Sequence, residues 1–284
     1  MLIETEETNQ FTFEPFAAHS FYTNVNRSLV RRALASFKAY PIGQTLKIVD
    51  MACGTGAVTR LIAEELRQQE RQAHIIGVDP SAEALRLAQK GMIEIGERAE
   101  FIQGDAEDLP GLVHDVDVAF FCNAIHLIHD KRCAFQLMAS ILAPNGIFAC
   151  NSAFYNGAYV EGTERFYRLW TRRAIGWLRQ EHPEAHVSRK TKTTAMQWLN
   201  ASEYIQLLKE GGFQRVDAIQ EETIMTVASY HDIGQYWLFI EGALPGIPLA
   251  LGATALGTTV YQAGEELNLT DIPRNWLQII AHKA

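Results

Sequence analysis

The 284-residue sequence predicts an α/β fold built on a doubly wound, mostly parallel sheet with helical insertions. Short apolar runs alternate with helical patterns between Leu46 and Ser152, which is the rhythm of a parallel sheet. A glycine turn at Gly54 and Gly56 joins the first apolar run to the first helix. After Ser152 the rhythm changes to longer amphipathic helices, and these predict insertions around the sheet.

The parallel strands are predicted from five apolar runs. They lie at residues 47–50, 75–78, 100–103, 116–121 and 147–151. Between the first two runs, apolar residues from Val58 to Leu66 share one face of a helix, and Pro144–Gly146 ends the helix before the fifth run. Because right-handed crossovers bring the carboxyl ends of parallel strands to one edge, we expect a ligand crevice at that edge.

The chain is predicted to have four parts. They are an N-terminal helical lid over residues 1–44, a core over 45–153, a helical cap insertion over 154–200, and a C-terminal part of the core over 201–284 with a second helical insertion at about 228–270. The C-terminal part supplies a strand from Phe213 to about Ile219 and a last strand over Trp276–Ile280, so the predicted sheet has seven strands.

Composition and charge exclude several classes of protein. The formal net charge is -8, which disfavours nucleic acid as a partner, and the short basic cluster Arg189, Lys190 and Lys192 is interpreted as a solvated loop. The acidic N-terminus lacks the pattern of a signal peptide, and the stretch from Ala243 to Tyr261 is too interrupted to span a bilayer. Four cysteines without metal or disulfide spacing predict a reducing, cytoplasmic location.

Acidic residues follow three of the predicted strands. Asp50 precedes the glycine turn, Asp79 ends the second strand and Asp105 follows the third. A carboxylate at Asp50 would repel the pyrophosphate of a dinucleotide, whereas it suits the ammonium and sulfonium of S-adenosylmethionine (SAM). Asp79 can accept hydrogen bonds from a ribose, in SAM or in NAD, or cap the helix that follows. Thr59 stands where a dinucleotide fingerprint has its third glycine, so the residues favour SAM.

The order of these motifs resembles that of the class I SAM-dependent methyltransferases, in particular the small-molecule and quinone-type enzymes. The matching stretches are Asp50-Met-Ala-Cys-Gly-Thr-Gly56 with alanine in the first glycine slot, Asp79-Pro80, Gly104-Asp105-Ala106, and Phe120 to Asp130 after the fourth strand. The resemblance implies a Rossmann-like fold, SAM as methyl donor and S-adenosylhomocysteine as product. It also implies a cofactor site formed by Asp50, Ala52, Cys53, Gly54, Gly56, Asp79, Pro80, Asp105, Ala106 and Asn123.

His126 is the predicted catalytic residue, because the resemblance places a histidine at this position beside the methyl donor. A histidine with a pKa near ~6.5 suits a general base, although packing or hydrogen bonding is the alternative role. The predicted substrate contacts are Tyr22, His129, Tyr155 and Trp170, each with a structural role as the alternative. His126 and His129 have no third ligand at metal-binding spacing, so no metal is expected.

The predicted function is methyl transfer to the oxygen, nitrogen or carbon of a small, lipophilic acceptor. The insertions are rich in aromatic and small apolar residues, which is typical of pockets for such ligands. Methyl transfer from a sulfonium is an in-line displacement that mainly requires alignment and exclusion of water. The alternatives are a non-catalytic SAM-binding module and an NAD-dependent oxidoreductase. The expected assembly is a monomer or homodimer.

Overall fold

The computed structural model describes residues 10–37, 43–188 and 198–283. Within these ranges seven strands form one sheet in the order β3-β2-β1-β4-β5-β7-β6. They are β1 (Leu46–Met51), β2 (Ala73–Asp79), β3 (Glu100–Gln103), β4 (Val116–Cys122), β5 (Leu142–Ser152), β6 (Phe213–Thr226) and β7 (Asp271–Lys283). The predicted α/β fold with a seven-stranded, Rossmann-like sheet is confirmed.

Strands β1 to β5 form parallel pairs, and β7 is inserted antiparallel between β5 and β6, so β6 runs in the same direction as β1 to β5. The strand order reverses at β1, whose two neighbours are β2 and β4. Ligands of doubly wound sheets bind at such a reversal, outside the carboxyl ends of the strands. Because β7 runs antiparallel to β5, its first residues lie at this same edge.

Helices cover both faces and the carboxyl edge of the sheet. The described helices are α1 (Glu14–Ala17), α2 (Ser20–Ala35), α3 (Ala57–Gln68), α4 (Ala82–Glu94), α5 (Leu109–Leu112), α6 (Lys131–Ile141), α7 (Glu164–Glu181), α8 (Ala201–Glu210), α9 (Val227–Ile233), α10 (Trp237–Ala243) and α11 (Leu249–Leu267). The single helical insertion expected at about 228–270 is three helices, since Gly234 ends α9 and Pro248 precedes α11. Strand β6 runs past Ile219 because it pairs with β7 as far as Thr226.

The insertions and the N-terminal helices share one apolar core. Phe16 of α1, Trp170 of α7 and Leu256 of α11 are buried in it together, and the indole of Trp170 donates to the Leu256 carbonyl at 2.9 Å. Ion pairs link α2 to α3, since the buried carboxylate of Glu65 in α3 accepts hydrogen bonds from Arg27 and Arg31 in α2. These contacts hold the helical layer over the sheet edge where a ligand is expected.

The division of the chain into four parts, with boundaries after residues 44, 153 and 200, stays a prediction. The basic cluster Arg189, Lys190 and Lys192 lies outside the described residues. None of the helices within residues 10–37, 43–188 and 198–283 has both the length and the apolar character needed to cross a membrane.

Candidate functional site

A cavity of about 1440 Å³ opens at the carboxyl edge of the sheet, beneath the helical layer. Pockets for a single drug-sized ligand commonly measure about 300–1,000 Å³, so this cavity has room for two ligands side by side. One end is formed by the glycine turn and by the residues that follow β2 and β3. The other end lies below α1, α7 and α10 and reaches Arg274 in β7.

The glycine turn after β1 has left-handed backbone at three positions. The φ angles of Ala52, Gly54 and Gly56 are 53°, 51° and 79°. Ala52, Cys53 and Gly54 line the cavity, as predicted for cofactor contacts. Gly56 is not in the wall, and its role is steric: a Cβ there would lie 3.0 Å from the Cβ of Ala88 in α4. Gly56 ends the turn and lets α3 approach α4, and its contact with a cofactor stays a prediction.

Asp50 is a buried carboxylate in the cavity wall at the end of β1. The hydroxyl of Thr59 donates to its Oδ2 atom at 2.6 Å. Burial raises the pKa of Asp50 to about 7, although the bond from Thr59 opposes this shift. A cation bound beside Asp50 would restore the charged form, so the site is suited to a positively charged ligand.

Asp79 links the glycine turn to the end of β2. Its Oδ2 atom accepts from the Gly54 amide at 2.8 Å, and its Oδ1 atom accepts from the Ser81 amide at 3.0 Å. The helix cap considered as an alternative for Asp79 is instead Ser81, whose hydroxyl accepts from the Ala84 amide at 3.2 Å. Asp79 lies in the cavity wall, and each carboxylate oxygen can accept more than one hydrogen bond, so it can both hold the turn and bind a ribose.

The loop after β3 closes this end of the cavity. Asp105, Ala106 and Pro80 line the wall, as predicted. Asp105 accepts from the Glu107 amide at 3.1 Å, and its own amide donates to Asp108 at 3.0 Å, so its backbone is fixed by a turn within the loop. The roles of these residues in binding stay predictions.

His126 is buried in the turn after β4, where it lines the middle of the cavity. Its Nδ1 atom lies 3.1 Å from the Ser152 hydroxyl, and its ring lies 4.5 Å from that of Phe154 between centroids. Burial, together with the charges of Lys131 and Arg274, lowers the pKa of His126 to about 3. An unperturbed histidine has a pKa near ~6.5, but burial and two nearby cations disfavour the imidazolium here. His126 is a neutral hydrogen-bonding group.

Asn123, which follows β4, also lines the cavity, and its backbone amide donates to the side-chain oxygen of Asn151 at 2.9 Å.

Of the four predicted substrate contacts, Tyr22 and His129 are in the wall of the cavity. Tyr155 and Trp170 are not in this wall. The Tyr155 hydroxyl donates to Gln220 of β6 at 2.9 Å, and Trp170 is turned towards α11, so both side chains belong to cores.

Sequence reasoning missed Arg274 and three aromatic residues of the wall, namely Phe13, Tyr167 and Trp198. Arg274 lies in β7 before the predicted start of the last strand at Trp276, so no pattern placed it at the ligand edge. No described group of three or more histidines, cysteines or acids is arranged to hold a metal ion.

The donor set fits SAM better than a dinucleotide. Five acids, Asp50, Asp79, Glu83, Asp105 and Glu107, line the end of the cavity beside the glycine turn. The described wall holds no lysine, and its arginine, Arg274, belongs to the opposite end, so nothing at the turn except backbone amides would neutralise a pyrophosphate. An ammonium, a sulfonium and a ribose suit this surface.

Comparisons with known proteins agree with this geometry. Residues 48–146 match the family model of the methyltransferase domain. The chain is 26% identical over 175 residues to the ubiquinone/menaquinone biosynthesis C-methyltransferase UbiE of Campylobacter jejuni, covering 61% of this chain and 72% of that protein. It is 30% identical over 102 residues to a ubiquinone biosynthesis O-methyltransferase of Azorhizobium caulinodans, covering 36% and 38%.

The fold is shared with solved structures. The YcgJ protein of Bacillus subtilis superimposes with a TM-score of 0.56 at 17% identity, over 92% of this chain and 98% of that one. The comparisons favour neither the oxidoreductase nor the non-catalytic alternative. Residues 48–146 therefore form a methyltransferase domain, and the chain is a SAM-dependent methyltransferase that acts on small molecules.

Proposed function

We propose that this methyltransferase acts on a lipophilic small molecule, which binds in the cavity beside SAM and beneath the helical layer. The observation that carries the proposal is the wall of the end remote from the glycine turn. This acceptor end is lined by aromatic rings from five parts of the chain, namely Phe13, Phe154, Tyr159, Tyr167, Trp198, Tyr236, Trp237 and Phe239. Such a wall favours an apolar, and in particular an aromatic, ligand.

Each end of the cavity has its own task in this proposal. Asp79 and Asp105 bind the ribose and adenine of SAM, and Asp50 attracts the positive charge of its methionine part. SAM supplies an activated methyl group on a sulfonium. The protein aligns the acceptor with that methyl group and excludes water, which are the main requirements of an in-line displacement. The named activities of the two relatives, a C- and an O-methyltransferase of quinone biosynthesis, favour a carbon or oxygen acceptor here.

His126 is proposed to position the acceptor. It lies between the two ends of the cavity, and its ring is held by the Ser152 hydroxyl and by Phe154. As a neutral imidazole it can share a hydrogen bond with an acceptor hydroxyl without needing to carry a proton away. Its low pKa makes it a weak equilibrium base, so positioning is the larger part of its contribution.

Turnover of methyl-labelled SAM tests the proposal. The panel contains lipophilic phenols, hydroxyquinones and long-chain or aromatic acids, together with small hydrophilic alcohols and amines as the comparison. We expect labelled product from the lipophilic group alone. Methylation confined to hydrophilic acceptors, or tight SAM binding without product from any acceptor, would contradict the proposal.

We expect His126→Ala to lower kcat about tenfold while the Kd for SAM changes less than twofold, because the substitution removes a contact to the acceptor only. In the wild type, kcat should show no inflection near pH 6.5 from this group, since a pKa of about 3 leaves it neutral above pH 4. Steady-state kinetics and SAM titration over pH 5–8 measure both. His114→Ala, which changes an exposed histidine remote from the cavity, is the matched control. An unchanged kcat in His126→Ala removes the residue from the site.

A cytoplasmic location and a monomeric or homodimeric state are part of the proposal. All four cysteines are free and three are buried, which supports a reducing environment. Sedimentation of the purified protein at several concentrations tests the assembly. A species larger than a dimer at every concentration would contradict it.

A further inference from the structure

Arg274 is a buried cation in the wall of the acceptor end of the cavity. Its side chain is 3% exposed, and it lies near the start of β7, beside the end of β5. The acids that suit SAM lie at the other end of the cavity, so the binding of SAM does not involve Arg274. An arginine stays protonated at every working pH, so its charge is permanent.

The described partners of Arg274 are all neutral. Its Nε atom donates to the carbonyl of Ala153 at 2.8 Å, a second nitrogen donates to the same carbonyl, and a third donates to the Tyr167 hydroxyl. The guanidinium carbon lies 5.3 Å from the ring centre of Phe154, 5.2 Å from that of Tyr159, 5.0 Å from that of Tyr167 and 5.8 Å from that of Trp198. Within residues 10–37, 43–188 and 198–283, no carboxylate forms an ion pair with it.

A buried charge without a counter-ion costs free energy of folding, and buried charges in proteins are usually paired. Ring faces and phenol oxygens recover part of this cost, but they do not neutralise the charge. They also keep water away from it, which strengthens its attraction for an anion. Tyr159 adds a hydroxyl group that can donate to an anion at the same place, whereas the Tyr167 hydroxyl accepts from Arg274 and donates to the Tyr230 hydroxyl at 2.7 Å.

The acids of the described wall are concentrated at the SAM end of the cavity. Asp50, Asp79, Glu83, Asp105 and Glu107 line that end, whereas the acceptor end has the permanent cation Arg274 together with Glu14 of α1. An acceptor with a negative group would be drawn to Arg274 and repelled from the acids of the SAM end, so it would enter in one orientation. Since the site offers a single guanidinium, it matches a planar group with one negative charge better than a phosphate with two.

We infer that Arg274, with the hydroxyl of Tyr159, binds a carboxylate of the acceptor, so that the substrate class is a lipophilic or aromatic carboxylic acid. This inference rests on the proposed function, because it assigns one group of the same acceptor to one part of the same cavity. The aromatic rings around Arg274 contact the apolar body of the acid beside its carboxylate. Phe154, which contacts both His126 and Arg274, lies between the carboxylate subsite and the centre of the cavity.

Calorimetric titration of a matched pair of probes tests the inference. The probes are 2-naphthoate and 2-naphthamide, which have the same shape and differ in charge, added to protein saturated with S-adenosylhomocysteine. We expect the wild type to bind the acid at least tenfold more tightly than the amide. Arg274→Gln should abolish this preference by weakening acid binding at least tenfold, with the affinity for the amide and for S-adenosylhomocysteine within twofold of the wild type.

The matched control is Arg173→Gln, because Arg173 carries the same group on the exposed side of α7, paired with Glu266. It should keep the preference for the acid. Arg274→Lys keeps the charge without the planar fork and should retain an intermediate preference. If Arg274→Gln does not fold, the preference for the acid over the amide in the wild type and in Arg274→Lys tests the inference. Equal binding of acid and amide by the wild type, or an undiminished preference in Arg274→Gln, overturns the inference.

The labelled-SAM panel separates this result from the proposed function. Methylation of neutral lipophilic acceptors without any preference for acids would overturn the carboxylate subsite and leave the proposed function standing. An acid preference that depends on Arg274, without methylation of any lipophilic acceptor, would overturn the proposed function and retain the subsite.

Discussion

We expect Asp79→Ala to weaken SAM binding by roughly 1–3 kcal/mol, which is about 5- to 150-fold in Kd. Two effects add in this substitution. The cofactor loses the acceptor proposed for its ribose hydroxyls, and the Gly54 amide loses the carboxylate that now holds it at 2.8 Å. A looser glycine turn costs further affinity, because the cofactor must then order the turn on binding. Titration with SAM and with S-adenosylhomocysteine measures the change.

Asp117→Ala is the matched control for Asp79→Ala. Asp117 is also a carboxylate that accepts from a backbone amide of a neighbouring strand, Lys47 N at 2.8 Å, but it lies outside the cavity wall. Its loss should lower stability and leave Kd within twofold of the wild type. Asp79→Asn, which keeps the size and one acceptor oxygen, should give an intermediate Kd. An unchanged affinity in Asp79→Ala would exclude this residue from the cofactor site.

The sheet and the cofactor turn were predictable from the sequence because their signals are local. A strand such as β1 is a short apolar run, and left-handed backbone, as at Gly54 and Gly56, favours glycine. Three acids at successive strand ends must meet at one edge, since parallel strands share their direction. These inferences require no knowledge of distant contacts.

The acceptor end was not predictable, because there burial alone does not separate a cavity wall from a core. The amphipathic pattern of α7 marks Trp170 as buried, but the three-dimensional packing turns it to α11 and turns Tyr167 to the cavity. The pKa of His126 depends on Lys131 and on Arg274, and the second of these is far away in the sequence. Arg274 itself becomes a site residue only because β7 enters antiparallel beside β5.

Asp50 should make SAM binding depend on pH between 5 and 7. Burial raises its pKa to about 7 in the free enzyme, and a neighbouring cation lowers the pKa again, because it favours the carboxylate. Below pH 7, binding must then release a proton, and Kd should rise up to about tenfold for each pH unit, towards roughly 100-fold at pH 5. Above pH 7 the carboxylate is already charged, so this dependence ends. Calorimetry in buffers of different ionisation enthalpy should detect the released proton.

Asp50→Asn separates this effect from other titrations. The amide keeps the shape and can still pair with the Thr59 hydroxyl, but it has no charge to gain, so Kd should be high and independent of pH over this range. The stability of the free protein provides a second measurement. Because the folded-state pKa of Asp50 lies above its unfolded value of roughly 3.9, its contribution to stability is complete below about pH 4 and is lost as the pH rises through about 7. Saturating SAM should therefore raise the melting temperature more at pH 8 than at pH 5 in the wild type. The same increase at both pH values, or a pH-dependent Kd in Asp50→Asn, would show that Asp50 does not face the cation.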